Sequence, residues 1–326
     1  MRYVTYFFYS SVILTLIFLC VNLLSYSRYD ISMAKGDAPS NIVRNSSGDL
    51  EKLPFYLSLD NLSIEKYGSG KDKKFSVSVS LKYNDEVEKG HFSLNHPYYF
   101  HQYGIYLFDF GKNKSGNDFV HLRITESRFR NCVFVGLVFT ILSSFCLMVV
   151  SIVELAKRRG RWSFAVLMIL LAGIVVAVMM KMNPMMRSAE VPPILRSVWF
   201  LPHVIAYILS YAVIIYTWLR SGVVMIRRTD NPATIALFET GVALYTVGLA
   251  LGVVWAHFAW GTFWGWDIKE TLALIMWGYS VLAMPMMRRL KDSRVVVFML
   301  ITVAVLLLLL CWIGPSLLHL GGMHSY

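Results

Sequence analysis

The stretch WAHFAWGTFWGWDIKETLALIMW, residues Trp255–Trp277, joins two long apolar segments and holds five of the chain's nine tryptophans. It also contains one histidine and two acidic residues, His257, Asp267 and Glu270. Two interpretations are open. Tryptophans commonly form a belt where helices leave a membrane. Several of them in one short loop also suit the floor of a site for a large, flat, apolar ligand.

The segments that flank this stretch are long enough to cross a membrane. Of the 326 residues, 56% are hydrophobic. A spanning helix needs about 20 apolar residues, and the sequence contains seven such runs: 4–26, 132–153, 162–181, 199–219, 234–255, 268–287 and 295–313. The first run is long for a signal peptide and lacks a clear cleavage pattern, so we predict that it remains as a membrane anchor.

Basic residues set the predicted orientation. The formal net charge is +11, but the cations cluster in three short loops, at 157–161, 220–228 and 288–294. These loops share one side if the helices alternate, and the positive-inside rule assigns that side to the cytoplasm. The N-terminus is then inside and the C-terminus outside. The charge therefore predicts topology and contact with membrane lipid, and no nucleic-acid partner.

Residues 27–131 form the one sizeable polar segment, which this orientation places outside the membrane. The alternating FSVSVSLKY (Phe75–Tyr83) and the aromatic YGIYLFDF (Tyr103–Phe110) predict strands, and YND predicts a turn. We therefore predict an all-α polytopic membrane bundle of about seven helices that carries a small β-rich extracytoplasmic domain. Its predicted parts are an anchor helix (1–26), the β-rich domain (27–131), a second span with a cytoplasmic loop (132–161) and a five-helix bundle (162–326).

The cysteines and four of the histidines show no metal or redox pattern. The four cysteines lie in or beside the predicted spans: Cys20, Cys132, Cys146 and Cys311. They form no Cys-x-x-Cys, so we predict no disulfide framework, no thiol exchange and no covalently attached heme. The histidines of the polar segment have no metal-ligand spacing, and we predict that they are structural: His91, His96, His101 and His121.

The acidic residues near the membrane have different predicted roles. Asp267 and Glu270 open the sixth span as DIKE, which is the pattern of a capping box at a helix N-terminus. A direct role for Asp267 at a ligand site is the alternative. Glu239 lies inside the fifth span, where it either snorkels or faces the interior of the bundle.

Four histidines converge on the predicted outer face, together with the tryptophans: His203, His257, His319 and His324. Imidazole is a common axial ligand of heme iron, so two of them on opposite sides of an aromatic platform would make a bis-histidine site. Arg187 and Arg196 lie on the same face and are candidates to pair with heme propionates. The alternatives are amphipathic histidines at a membrane interface and solvated arginines.

Three motifs carry a resemblance to a known family. WGTFWGWDIKETLALIMW resembles the WWD signature of the heme-handling superfamily, and WDIKET followed by ALIMW is most similar to the CcsA/ResC branch of cytochrome c biogenesis, system II. RSVWFLPHVIAYILSYA resembles the helix that carries that family's first external histidine, here His203. GGMHSY resembles the closing segment with the second, here His324. The polar segment's GHFSLNHPYYFHQYGIYLFDF resembles the ResB/CcsB core, so the chain looks like a compact ResB–CcsA fusion.

The resemblance implies a function in cytochrome c maturation. Heme b would be exported across a bacterial cytoplasmic membrane, held outside by His203 and His324, and attached to the Cys-x-x-Cys-His motif of an apocytochrome c by a heme lyase activity. Four tryptophans would form the apolar platform for the heme: Trp255, Trp260, Trp264 and Trp266. A thioredoxin-like thiol reductant is a further implied partner. The alternatives are a carrier that hands heme to a separate lyase, and a scaffold that recruits apocytochrome or a reductant.

The sequence departs from the family at its inner histidine. Family members carry one within the bundle at a position that aligns near Pro285 here, and the sixth span has none. In the other direction, His257 and His319 are additional histidines, which we predict as candidate competing ligands. No catalytic residue is predicted.

Overall fold

The computed structural model describes residues 2–66, 72–112, 116–157, 193–228 and 232–317 of the chain. Several predictions fall outside these ranges. They concern the span at 162–181 and three site residues: Arg187, His319 and His324.

The polar N-terminal segment folds into one antiparallel sheet. Its strands are β1 (Ser27–Ala34), β2 (Ser40–Asn45), β3 (Leu50–Lys66), β4 (Asp72–Tyr83), β5 (Glu86–Phe92), β6 (Tyr98–Phe100), β7 (Tyr103–Lys112) and β8 (Asp118–Glu126). They pair in the order β5-β4-β3-β2-β1-β8-β7-β6. Both predicted strands are confirmed, within β4 and β7. The predicted turn lies between β4 and β5, where Asn84 and Asp85 have positive φ.

The alternating sequence of β4 explains why the sheet has a buried face. Val77, Val79 and Leu81 are buried at every second position, because successive side chains of a strand point to opposite faces. Phe55 of β3 packs edge-on against Phe100 and Tyr103, with ring centroids 5.3 and 5.2 Å apart. The two halves of the sheet therefore share one apolar core, and the sheet curls into a barrel-like form.

The described membrane part consists of helices α1 (Arg2–Leu24), α2 (Arg130–Lys157), α3 (Phe200–Arg227), α4 (Pro232–Trp260), α5 (Ile268–Arg289) and α6 (Arg294–Leu317). A short 3-10 helix, Pro193–Leu195, precedes α3. Each of the six long helices is long and apolar enough to cross a membrane, as expected for a polytopic helical bundle. Six of the seven predicted spans thus coincide with helices in the described part of the chain.

One predicted boundary is wrong at the tryptophan-rich stretch. The predicted runs 234–255 and 268–287 leave a connection of residues 256–267, but the connection is shorter, because α4 continues to Trp260 and only residues 261–267 connect it to α5. The residues after Trp255 contain no helix breaker until Gly261, whose φ of +82° ends the helix. Trp255, His257 and Trp260 therefore lie on a rigid helix and not on a loop.

Packing between the spans uses small and hydroxylated side chains. On α1 and α2, the hydroxyl groups of Ser11 and Ser143 lie 2.6 Å apart, and those of Thr15 and Thr140 lie 2.8 Å apart. Such contacts satisfy hydroxyl groups that lipid could not. Glu239 of α4 is fully buried and faces the bundle interior, where it pairs with Arg288 of α5. The interior alternative for this residue is therefore correct.

Candidate functional site

A partly open cavity lies where α3, α4, α5 and α6 meet. It is at the start of α3 and α5 and at the end of α4 and α6, so it adjoins the 261–267 connection. Its walls are mostly aromatic and aliphatic, with a few polar groups: His203, Tyr207, Tyr211, Lys269, Glu270 and Cys311. This combination is typical of a site for a flat, largely apolar ligand.

His203 is fixed in the wall of this cavity by the backbone of α4. Its Nδ1 lies 2.8 Å from the carbonyl oxygen of Gly248. A carbonyl oxygen only accepts, so Nδ1 carries the proton and the lone pair of the neutral ring is on Nε2. A backbone carbonyl on one ring nitrogen is the usual way to orient a histidine that binds a metal through the other.

Two glycines of α4 let α3 approach closely at this histidine and at Tyr207. A Cβ atom on Gly252 would lie 2.6 Å from Cε1 and 2.7 Å from Nδ1 of His203, so any side chain there would displace the ring. A Cβ on Gly248 would lie 3.1 Å from the ring of Tyr207. Gly248 and Gly252 form a Gly-x-x-x-Gly spacing, which lets two membrane helices approach closely. The position of His203 thus depends on the α3–α4 contact.

The four tryptophans of the predicted platform have different surroundings. Trp255 and Trp264 line the cavity, and the ring of His203 stacks against Trp255 with centroids 6.3 Å apart. Trp260 packs edge-on against Trp255 at 6.2 Å. Trp266 is 62% exposed. Together with Trp264 it lines a second, apolar cavity between α1, α2, α4 and α5. The structure therefore brings two of the four together with His203.

The start of α5 is held by the predicted capping box. The backbone N–H of Lys269 donates to Asp267 Oδ1 at 2.8 Å. In return, the N–H groups of Gly265 and Asp267 donate to Glu270 Oε2 at 2.8 and 3.3 Å. The cap prediction is confirmed, and Asp267 does not line the cavity. Asp267 and Glu270 together fix the 261–267 connection, which carries Trp264 and Trp266.

Removing this cap should destabilise the protein measurably. We expect Asp267→Ala to lower the free energy of unfolding by about 0.5–2 kcal/mol, because the Lys269 N–H loses its acceptor. Asp267→Asn keeps a side-chain oxygen at the same place and should stay within a few tenths of a kcal/mol of the wild type. Chaotrope unfolding of the detergent-solubilised chain, followed by tryptophan fluorescence, measures both. Equal losses in the two variants would contradict the capping role.

Comparison with known proteins identifies the family. Residues 132–320 match the model of the Cytochrome C assembly protein family, and residues 1–126 match the ResB-like family. The chain belongs to the Cytochrome C assembly protein family. Its N-terminal part is ResB-like, so the predicted fusion is confirmed. It is a multi-pass membrane protein.

Several relatives are named cytochrome c biogenesis protein CcsA. The protein of Prochlorococcus marinus strain MIT 9215 is 31% identical over 179 residues, which cover 43% of this chain and 57% of the relative. That of Chlamydomonas reinhardtii is 32% identical over 159 residues, 44% of each chain. That of Synechococcus sp. strain RCC307 is 30% identical over 185 residues, 44% of this chain and 59% of the relative. The chain thus spans about half the length of the curated relatives it matches.

The additional histidine of this family member, His257, lies away from the cavity. It is 1% exposed, and its Nε2 lies 3.0 Å from Tyr99 Oη of β6. Burial raises the pKa of Tyr99, so its hydroxyl group stays protonated at neutral pH. His257 therefore belongs to the contact between the ResB-like sheet and the bundle.

The remaining predicted residues are less informative. Arg196 follows the 3-10 helix and does not line the cavity. Sequence reasoning missed other residues that do line it: Gly252, Phe263, Lys269 and Cys311. The Gly-x-x-x-Gly spacing in the fifth predicted span could have indicated Gly252. Lys269 places a positive charge at the cavity, and the sequence analysis did not consider it. In the described part of the chain, no three potential ligands converge as a bare metal centre would require.

Proposed function

We propose that the chain handles heme b in cytochrome c biogenesis and attaches it to an apocytochrome c. The observation that carries the proposal is His203, which lies in the wall of an aromatic cavity with Nδ1 donating to Gly248. Its Nε2 atom would bind the iron through its lone pair. By the resemblance of GGMHSY to the family's closing segment, His324 would be the second axial ligand.

The chemistry of the cavity supports heme as the substrate. Trp255, Phe263 and Trp264 provide rings for an apolar macrocycle, and Lys269 provides a cation for a carboxylate. The indole N–H of Trp264 is buried and has no acceptor within the described ranges, so it is a second donor for a ligand oxygen.

The distribution of charge supports an extracytoplasmic site. The cavity is at the first turns of α3 and α5, whereas Arg227, Arg288 and Arg289 lie at the other ends of these helices. The positive-inside rule assigns those ends to the cytoplasm. We therefore propose a bacterial cytoplasmic-membrane protein of seven spans with the N-terminus inside, the C-terminus outside and the ResB-like sheet on the active face.

Attachment of heme needs little beyond positioning. Each thioether forms when a reduced cysteine thiol of the Cys-x-x-Cys-His motif adds across a heme vinyl group: sulfur bonds to one vinyl carbon, and the proton goes to the other. No atom leaves, and the thiols must be reduced beforehand, which is the task of a thioredoxin-like partner. A bound heme and a docked peptide react as if they were parts of one molecule, which accounts for most of the rate.

Two measurements test the proposal. The chain purified in detergent from heme-replete cells should contain one heme, seen in its absorption spectrum and by pyridine extraction. Co-expression with an apocytochrome in a host without other maturation systems should then give covalent heme. Heme-free protein from cells in which the chain still supports cytochrome c maturation would overturn heme binding. Bound heme without attachment would instead identify a carrier that serves a separate lyase.

A further inference from the structure

His203 packs against one side of α4, and His257 projects from the opposite side of that helix. The carbonyl of Gly248 and the open space at Gly252 face His203. His257, one to two turns further on, faces α2 and the sheet. Its ring meets the edge of Phe134 of α2, with centroids 5.3 Å apart and planes at 82°.

One face of the His257 ring is covered by Phe263. The two rings are stacked, with centroids 4.1 Å apart and planes at 8°. Phe263 is 2% exposed, and it lines the cavity next to Trp264. The ring of Phe263 therefore lies between His257 and the candidate heme site, and a shift of His257 moves a wall of that site.

A hydrogen bond links His257 to the ResB-like sheet. Tyr99 Oη lies 3.0 Å from His257 Nε2, and the guanidinium carbon of Arg130 lies 4.0 Å from the centre of the Tyr99 ring. Next to this contact, a Cβ on Gly261 would lie 2.9 Å from Thr125 Cγ2 and 3.1 Å from the ring of Tyr106. The sheet thus packs against the start of the 261–267 connection as well as against His257.

We infer that His257 is a positioning residue, which makes the Phe263 wall of the heme cavity dependent on the docked ResB-like sheet. This inference rests on the proposed function and deepens it. His257 is then not a competing axial ligand, because its Nε2 is bonded to Tyr99 and its ring is shut off from the cavity. The sheet acts on heme through the chain Tyr99–His257–Phe263, without touching the substrate.

A histidine suits this position better than either a wholly apolar or a flexible polar residue. Its planar ring stacks on Phe263 and meets Phe134 edge to face, as a phenylalanine would. Unlike phenylalanine, it also bonds a hydroxyl group that is buried at the domain contact. The Tyr106 hydroxyl group lies 3.5 Å from Tyr99 Oη, so the 3.0 Å bond to His257 is the shorter of the two. A buried hydroxyl group that loses its better partner is destabilised, so this bond favours one position of the sheet over others.

The test removes one hydroxyl group from the sheet and keeps both rings. In the full-length, heme-free chain, Tyr99→Phe should make amide hydrogen exchange in residues 258–267 about 3- to 10-fold faster, because a bond that holds this segment is lost. Tyr98→Phe is the matched control, because it makes the same chemical change at the preceding residue, whose hydroxyl group donates to Glu88 of the sheet. It should leave exchange in 258–267 at the wild-type rate.

A double-mutant cycle tests whether the effect passes through His257. His257→Phe keeps the stack on Phe263 and removes the bond, so it should reproduce the faster exchange. The double variant Tyr99→Phe/His257→Phe should be no faster than either single variant, because both remove the same interaction. Additive effects, or unchanged exchange in Tyr99→Phe, would overturn the inference.

The same variants separate this inference from the proposed function. If heme binds, Tyr99→Phe should shift the absorption maximum of bound heme and weaken its retention by about the factor found for exchange, whereas Tyr98→Phe should do neither. If the wild type binds no heme but exchange in 258–267 still responds as described, the coupling stands and the proposed function fails. If heme binds and neither exchange nor spectrum responds to Tyr99→Phe, the coupling fails and heme binding stands.

Discussion

The Gly252→Ala variant is expected to bind heme about 10- to 100-fold more weakly than the wild type, although it adds a single methyl group. That methyl carbon would lie 2.6 Å from Cε1 of His203, well inside van der Waals contact, so the imidazole must leave its place. The displaced ring also loses its bond to the Gly248 carbonyl. Loss of such an orienting bond alone typically lowers metal affinity by this factor.

The chain offers a matched control for this experiment. Gly278 lies in the α5 helix, and a Cβ there would meet nothing within 4 Å, so Gly278→Ala should bind heme as the wild type does. His203→Ala sets the effect of losing the ligand altogether. Heme titration of the purified apoprotein, followed by absorption, compares the four proteins. Wild-type affinity in Gly252→Ala would mean that His203 does not hold the iron in the arrangement described here.

The spans could be predicted from sequence because their physics is local. About 20 apolar residues in a row have few alternatives to a spanning helix, and six of the seven predicted runs overlap the described helices to within two residues. Their ends were harder to place. The apolar run ends near Trp255, but the backbone remains helical until Gly261 allows a left-handed turn. Hydropathy reports what lipid requires, whereas the helix end depends on the backbone.

The candidate site was only partly predictable, because its residues meet through packing between distant segments. His203 and Trp255 were found from their types and from the family resemblance, and both line the cavity. The resemblance gave no reason to separate Trp264, which lines it, from Trp260, which packs behind. His257 resembled a further ligand by type and place. Only the register of β6 against α4 shows that its partner is Tyr99.

The four helices α1, α2, α4 and α5 meet at a buried ion pair at the end of the bundle away from the cavity. The fully buried carboxylate of Glu239 pairs with Arg288 and accepts from Ser151 Oγ of α2 at 3.3 Å. Arg288 Nη1 donates to Thr5 Oγ1 of α1 at 2.9 Å. This cluster ties the helices that flank the ResB-like sheet to those that carry the candidate site.

Arg288→Met is therefore expected to lower the free energy of unfolding by about 3–5 kcal/mol, because it leaves the carboxylate of Glu239 without its counter-charge in an apolar interior. Chaotrope unfolding in detergent, followed by tryptophan fluorescence, measures the loss. Arg289→Met makes the same change at the exposed neighbouring residue and should cost less than about 0.5 kcal/mol.

The double variant Glu239→Met/Arg288→Met decides which part of the effect comes from the unpaired charge. Two apolar side chains remove the pair together with the cost of taking two charges out of water, so this variant should be clearly more stable than Arg288→Met alone. If Arg288→Met instead unfolds at the same midpoint as Arg289→Met, the pair contributes no stability. If the double variant is as unstable as Arg288→Met, the loss comes from packing of the long arginine side chain and its contact with Thr5, and not from the charge left on Glu239.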